Sequence, residues 1–330
     1  MIFRSGQKLS PLKEIHLYEE EEIMKKFFVL AASVLMLAGC GTTGLEGGSS
    51  SSEGKTDQKK PAELTVGVSV STLNNPFFVS LRDGVQKLAD ENETTIKVVD
   101  AQDDTAKQSN DIDDLIQQKV DVILVNPVDS SAIVPAVEAA NSANIPVIAI
   151  DRSSDGGKLL TTVASNNEEG GKMAAQFIIE KLGENAKVAE LEGVPGASAT
   201  RERGKGFDDY AKGKLDVVDK QSANFDRAKG LTVMENILQA HSDLQGVFAQ
   251  NDEMALGASE AASSKGKDFI IVGFDGTEDG LKAIKDGKMS ATIAQKPEEM
   301  GKLALQAAYD HFAGKKVEEK IDSPLDLVTE

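Results

Sequence analysis

The sequence predicts an α/β protein made of two similar doubly wound lobes, each a parallel sheet covered by helices on both faces. Three observations carry this. From residue 64 onward, short β-branched runs alternate with longer amphipathic segments, the pattern of repeated βαβ units. The alternation yields more strands than one open twisted sheet comfortably holds, so two sheets are the better solution. The rhythm also restarts after an apolar run at 159–163, near the middle of the folded body.

In the first half, strands are predicted at 64–70, 96–99, 120–125 and 147–150. Helices at 77–91, 106–118 and 131–143 have apolar positions three and four apart, as helices packing on a sheet require. Asn126-Pro127 and Asn144-Ile145-Pro146 punctuate these elements. In the second half, helices are predicted at 168–182 and 201–211 and strands at 187–191 and 217–220. Segments 227–239, 246–249, 253–264, 270–272, 280–284 and 290–293 continue the alternation. A last helix at 298–313 and a short apolar run at 325–328 close the chain. No tandem repeat of solenoid period is visible.

The N-terminal region has a different character. The apolar run 27–38 follows Met24-Lys25-Lys26 and ends on Leu37-Ala38-Gly39-Cys40. A charged stretch, a short apolar stretch and small residues in that order form a secretory signal, too short to span a bilayer comfortably. Leu-Ala-Gly-Cys resembles the lipobox of bacterial lipoproteins, which implies a signal peptide at 24–39 and a lipid on Cys40 as the mature N-terminus. Cys40 is the only cysteine, so no intramolecular disulfide is possible. The acidic stretch 19–22 does not belong ahead of a basic signal start. Residues 1–23 are therefore expected to be a mis-annotated extension, with the true start at Met24 and the run of Glu codons marking a translated ribosome-binding site. Residues 40–63, rich in Gly, Ser, Thr, Lys and Glu, are expected to form a flexible tether.

A formal charge of −18 and an isoelectric point near 4.7 argue against nucleic acid as a partner, because binding phosphate backbones needs clustered Lys and Arg. There is no Gly-x-x-x-x-Gly-Lys-Ser/Thr loop and no His-Glu-x-x-His motif. The three histidines, His16, His241 and His311, fall in the leader or at helix ends, and no cysteine is left to act as a nucleophile. Gly204-x-Gly206 falls on a helix rather than directly after a strand, which excludes a dinucleotide fingerprint. The acidic runs at 103–104 and 111–114 lack the glycine-containing spacing of a calcium loop. No metal, no cofactor and no catalysis are expected.

Open α/β sheets bind ligands beyond the carboxyl ends of their strands. In the first half those ends carry Asn75, Phe77 and Phe78, then Asn126, then Asp151 and Arg152. In the second half they carry Arg203, Phe225, Asn251, Asp275 and Gln295. A sugar hydroxyl donates one hydrogen bond and accepts two, so a mixed set of carboxylates, guanidinium forks and amides suits a neutral polyol. Phe faces suit the apolar C–H faces of a sugar ring. The same residues also have structural readings: Asn75-Pro76 as a helix cap with Pro in the first turn, Asp275-Gly276 as a turn, and Phe77 or Phe78 as core.

Residues 70–78, Asn126-Pro127, Ile150-Asp151-Arg152, 198–204, 248–255 and 272–277 closely resemble the D-ribose-binding proteins. Those are members of the pentose and hexose binding proteins of bacterial ABC importers, with the type I periplasmic binding protein fold. The resemblance runs from about residue 64 to the C-terminus. It implies a hinge of three segments, near 164–165, 295–296 and 323–324. One lobe is then 64–165 plus 296–323, and the other 166–295 plus 324–330. It further implies that Asn75, Asp151, Arg152, Arg203, Asn251, Asp275 and Gln295 bind hydroxyls and ring oxygen, that Phe77, Phe78 and Phe225 stack on the ring, and that Asn126 supports them. Expected partners are D-ribose or a similar monosaccharide such as allose, galactose or a furanosyl signalling molecule, an ABC permease, and the outer face of the membrane through Cys40. The protein is expected to be a monomer. A sugar-sensing regulator of the lactose-repressor type shares this core but needs a helix-turn-helix ahead of it, where this chain has a signal and a tether.

Overall fold

The computed structural model describes residues 58–329. The expected extension, the signal, Cys40 and most of the tether lie outside the described residues. In chain order the first elements are β1 (Thr65–Val70), α1 (Pro76–Glu91), β2 (Thr95–Asp100), α2 (Thr105–Gln117), β3 (Val122–Val125), α3 (Val134–Ser142), β4 (Val147–Ile150) and β5 (Thr161–Ser165). Next come α4 (Asn167–Leu182), β6 (Ala186–Glu192), α5 (Ser198–Ala211), β7 (Leu215–Ser222), α6 (Arg227–Ala240), β8 (Gly246–Ala249) and α7 (Asp252–Ser264). The chain ends with β9 (Ile270–Asp275), α8 (Glu278–Lys285), β10 (Ala291–Ala294), α9 (Pro297–Phe312), β11 (Lys320–Ser323) and β12 (Asp326–Val328).

Two six-stranded sheets result, ordered β11-β5-β4-β3-β1-β2 and β12-β10-β9-β8-β6-β7. All pairings are parallel except β10 with β12. Both sheets reverse direction of strand order at the same point, between β1 and β3 and between β6 and β8, which is where doubly wound folds open a crevice. Central strands β3, β4, β8 and β10 are buried throughout, because helices cover both faces. That is why Val-Ile-Leu-Val and Val-Ile-Ala-Ile read as continuous apolar runs.

In the first lobe, Leu81 and Val85 of α1 pack with Met300, Leu305 and Phe312 of α9 on one face. Ile112, Leu115, Ile133 and Val137 cover the other. In the second, Phe177, Ile178 and Phe207 cover one face and Met234, Ile237, Met254 and Ile284 the other. The helix pairs approach closely: a Cβ on Gly84 would overlap the Glu298 carbonyl, and one on Gly206 the Glu168 carbonyl. Gly206 therefore serves helix packing.

The chain passes between the sheets three times: from β5 to α4, from β10 to α9, and from β11 to β12. Three details differ from the sequence reading. The tether does not run to residue 63: Lys59 N donates to the Phe312 carbonyl at 3.1 Å, its ammonium pairs with Asp121, and a 3-10 turn spans Pro61–Glu63. This segment is anchored by backbone and charge rather than by apolar burial, which composition does not reveal. β11 was not expected, because Lys-Ile-Asp-Ser has one apolar residue; it is an edge strand, where charged side chains are usual. Helix α3 begins three residues later than predicted, with Pro135 in its first turn, where a missing N–H costs nothing.

Candidate functional site

The loops at the carboxyl ends of both sheets face one another. On the first lobe, Asn75 caps α1, its Oδ1 accepting the Phe77 N–H at 2.9 Å, with Pro76 next. This places Phe77 and Phe78 in the first turn, where their rings meet edge to face at 5.2 Å. Asp151 and Arg152 follow β4. On the second lobe, Arg203 projects from α5, Phe225 follows β7, Asn251 caps α7 by accepting the Met254 N–H at 2.9 Å, and Asp275 ends β9. Three of these residues are held in the left-handed region, Asp151 at φ 64°, Phe225 at φ 60° and Asp275 at φ 118°. For non-glycine residues this costs on the order of 1–3 kcal/mol and concentrates at functional sites.

All of these side chains, together with Ala199, line one cavity between the lobes. Asn126 and Gln295 do not line it. Asn126 lies behind Asp151, its Nδ2 donating to the Ile150 carbonyl at 3.1 Å and reaching Asp151 Oδ2 at 3.4 Å. Gln295, expected among the hydroxyl-binding groups, donates from Nε2 to Asp275 Oδ1 at 2.9 Å and leaves its buried Oε1 without a partner.

Each lobe contributes one acid–guanidinium pair. Arg152 Nε lies 3.6 Å from Asp151 Oδ2, and Arg203 Nη1 lies 3.7 Å from Asp275 Oδ1. All four residues are at most 4% exposed. Burial pushes the Asp151 carboxyl up, against the pull of Arg152 and Arg203, and pushes the Arg152 guanidinium down. Burial also raises Asp275 well above the ordinary carboxylate range, opposed by Arg203 and reinforced by the buried Asp252. Asp252 is itself pushed up to about 6 by burial and binds the Thr277 N–H and the Thr292 hydroxyl at 2.7 Å each.

Arg203 is held on three sides: Nε donates to Asn167 Oδ1 at 2.9 Å, Nη1 to the Gln250 carbonyl at 2.7 Å, and the guanidinium sits 3.7 Å over the Phe274 ring. Arg152 donates from Nη1 to the Pro127 carbonyl at 3.1 Å and lies between the Phe78 and Phe225 rings, 5.1 and 5.2 Å from their centres. Asp151 Oδ1, Arg152 Nε and Gln295 Oε1 are buried without a hydrogen-bond partner. Buried polar groups are nearly always paired, so these atoms mark the side of the site made for a polar guest. Among the described residues no group of His, Cys, Asp or Glu could hold a metal ion.

The lobes also touch directly. Ser130 N donates to the Gly196 carbonyl at 2.9 Å, Ser198 N to Ser130 Oγ at 3.1 Å, and Ser153 N to Ser198 Oγ at 2.9 Å. Arg201 pairs with Asp155 at 2.8 Å. The cavity therefore lies between two lobes in contact.

A sequence model described as a periplasmic binding protein domain matches residues 66–316. The chain belongs to the periplasmic binding protein family. It is 58% identical over 302 residues to the ribose import binding protein of Bacillus subtilis, covering 92% of this chain and 97% of that one. It is 50% identical over 269 residues to the ribose import binding protein of Escherichia coli, covering 81% and 91%. Among solved structures, a Caulobacter myo-inositol binding protein bound to myo-inositol is 32% identical with a TM-score of 0.77, covering 81% of this chain and 93% of that one. The arabinose-transporter binding protein of Shewanella, bound to arabinofuranose, is 33% identical with a TM-score of 0.77, covering 80% and 91%.

Within this periplasmic binding protein, sequence reasoning missed the residues that place the site without bearing its chemistry. Asn167 and Gln250 orient Arg203, and Ser130, Ser153 and Ser198 join the lobes. Ala199 lines the cavity only by being small. Their one sequence signal was position just beyond a strand or at a helix start.

Proposed function

We propose that this chain captures D-ribose between its two lobes and passes it to the permease of an ABC importer, held at the outer face of the cell membrane by a lipid on Cys40 and catalysing no reaction. The observation that carries the reading is the cavity itself. Two acid–guanidinium pairs, one from each lobe, provide acceptors and forked donors for adjacent hydroxyls, Asn75 and Asn251 add both senses, and Phe78 and Phe225 offer faces for the ring. The names of the ribose import relatives favour ribose among small sugars. The permease partner rests on the same relatives, and the lipid anchor on residues 37–40.

Because both lobes contribute ligands, sugar binds the closed form better than the open one and shifts the population toward it. A pentose has about ten heavy atoms, and at roughly 1 kcal/mol per atom the ceiling on affinity is near −10 kcal/mol, or sub-micromolar. Calorimetry of the purified chain against D-ribose, allose, galactose and xylose tests this. Ribose binding tightest, at micromolar or better, supports the reading; ribose failing to bind in that range overturns it, and a tighter allose or galactose reassigns the substrate.

A further inference from the structure

We infer that Gly193 is a positioning residue for the site: its bare Cα is the seat against which the tip of the Phe225 ring rests, so the missing side chain at 193 sets how far that ring reaches over the sugar. This rests on the reading of Phe225 as a sugar contact.

Gly193 directly follows β6, at the carboxyl end of the sheet. A Cβ built there would overlap the tip of the Phe225 ring, and the three nearest atoms all belong to that ring. The contrast with Gly84, Gly171 and Gly257, whose Cβ atoms would overlap the backbone of a neighbouring helix, separates a packing glycine from this one. The Gly193 backbone lies outside the left-handed region, so its conformation does not itself require glycine. What an alanine meets first is the Phe225 ring.

The seat cannot retreat. Gly193 N donates to Gln250 Oε1 at 3.0 Å, and Gln250 Nε2 donates to the buried Glu190 Oε1 at 2.7 Å. The Gly193 carbonyl accepts the Ser222 hydroxyl at 2.6 Å, and Ser222 Oγ in turn accepts the Asn224 N–H at 3.3 Å. The same serine thus ties the seat to the turn that presents the ring. That turn has two successive non-glycine residues in the left-handed region, Asn224 at φ 53° and Phe225 at φ 60°. With both ends fixed, an added methyl must displace the ring tip by on the order of 1–2 Å to reach ordinary van der Waals separation. The ring borders the sugar cavity and an adjoining pocket, and movement either way spoils its alignment with a bound sugar.

Calorimetry with D-ribose on Gly193→Ala, Phe225→Ala and the double variant tests this, together with a crystal structure of sugar-free Gly193→Ala. The seat predicts at least tenfold weaker ribose binding for Gly193→Ala alone, less than a twofold effect of the same change in the Phe225→Ala background, and a displaced ring tip in the crystal. Equal losses in both backgrounds, or a ring that has not moved, overturn it. Failure of the unmodified protein to bind ribose sinks the substrate reading instead, and the ring position still decides the seat.

Discussion

Replacing Arg152 with alanine removes the group that the cavity uses most. The guanidinium is 4% exposed, its Nε is buried without a hydrogen-bond partner, and it lies 5.1 and 5.2 Å from the centres of two rings. A hydrogen bond from a charged donor to a bound hydroxyl is worth about 1.5–3 kcal/mol. Cation–π contacts that order the rings add about 0.5–2 kcal/mol. Loss of the cation also removes the largest influence opposing burial at Asp151, whose carboxyl is pushed further up. Together these place the loss at about 2–5 kcal/mol, or roughly one and a half to three and a half orders of magnitude in Kd. Titration calorimetry reads it directly, with the thermal midpoint of the sugar-free variant as a check on folding. Arg152→Lys should recover only part of the loss, since an ammonium neither forks nor stacks. A folded Arg152→Ala variant within tenfold of the parent's affinity would refute the reasoning.

Glu190→Gln tests a buried carboxyl behind the site. Burial raises Glu190 from its ordinary 4.5 to about 7, despite Lys220 Nζ at 2.9 Å. The folded state therefore holds this proton more tightly than the unfolded chain, and its contribution is full below pH 4.5 and lost as pH rises through 7, by about 3 kcal/mol. Urea unfolding across that range should show a flatter stability profile for Glu190→Gln, with the variant the more stable above pH 7; identical slopes would exclude Glu190 as the source. The lipid anchor predicts that metabolic palmitate labels the protein at the membrane and that Cys40→Ala abolishes the label and releases the protein; undiminished label in the variant would remove Cys40 from that role.

Much of the fold was legible because both faces of each sheet are covered, so strands such as Val122–Val125 and Val147–Ile150 have no polar residue to blur the signal. Where one side meets water the signal fails, as at Lys320–Ser323, whose pairing with β5 is made by backbone groups. The site's charged and aromatic residues were legible for a related reason. Asp151, Arg152 and Asp275 are poor choices for the end of a buried strand unless something there needs them. Asn75 and Asn251 show that the helix-capping reading and the site reading were not exclusive, since each caps a helix and lines the cavity. What stayed hidden acts by being small or by holding a neighbour: Ala199 by its size, Asn167 and Gln250 through Arg203. A linear sequence carries neither the distance nor the direction of such contacts.

The third crossing has a consequence for how the molecule is made. One edge strand of each sheet comes from the last stretch of chain, β11 for the first lobe and β12 for the second, while α9 supplies much of the first lobe's core. Neither lobe is a continuous piece of sequence. A nascent chain therefore possesses no finished lobe until β11 and β12 have been made, and the two halves reach completion together rather than in succession. For a protein that leaves the ribosome bound for export, this delay leaves the chain without a completed lobe until those two strands emerge.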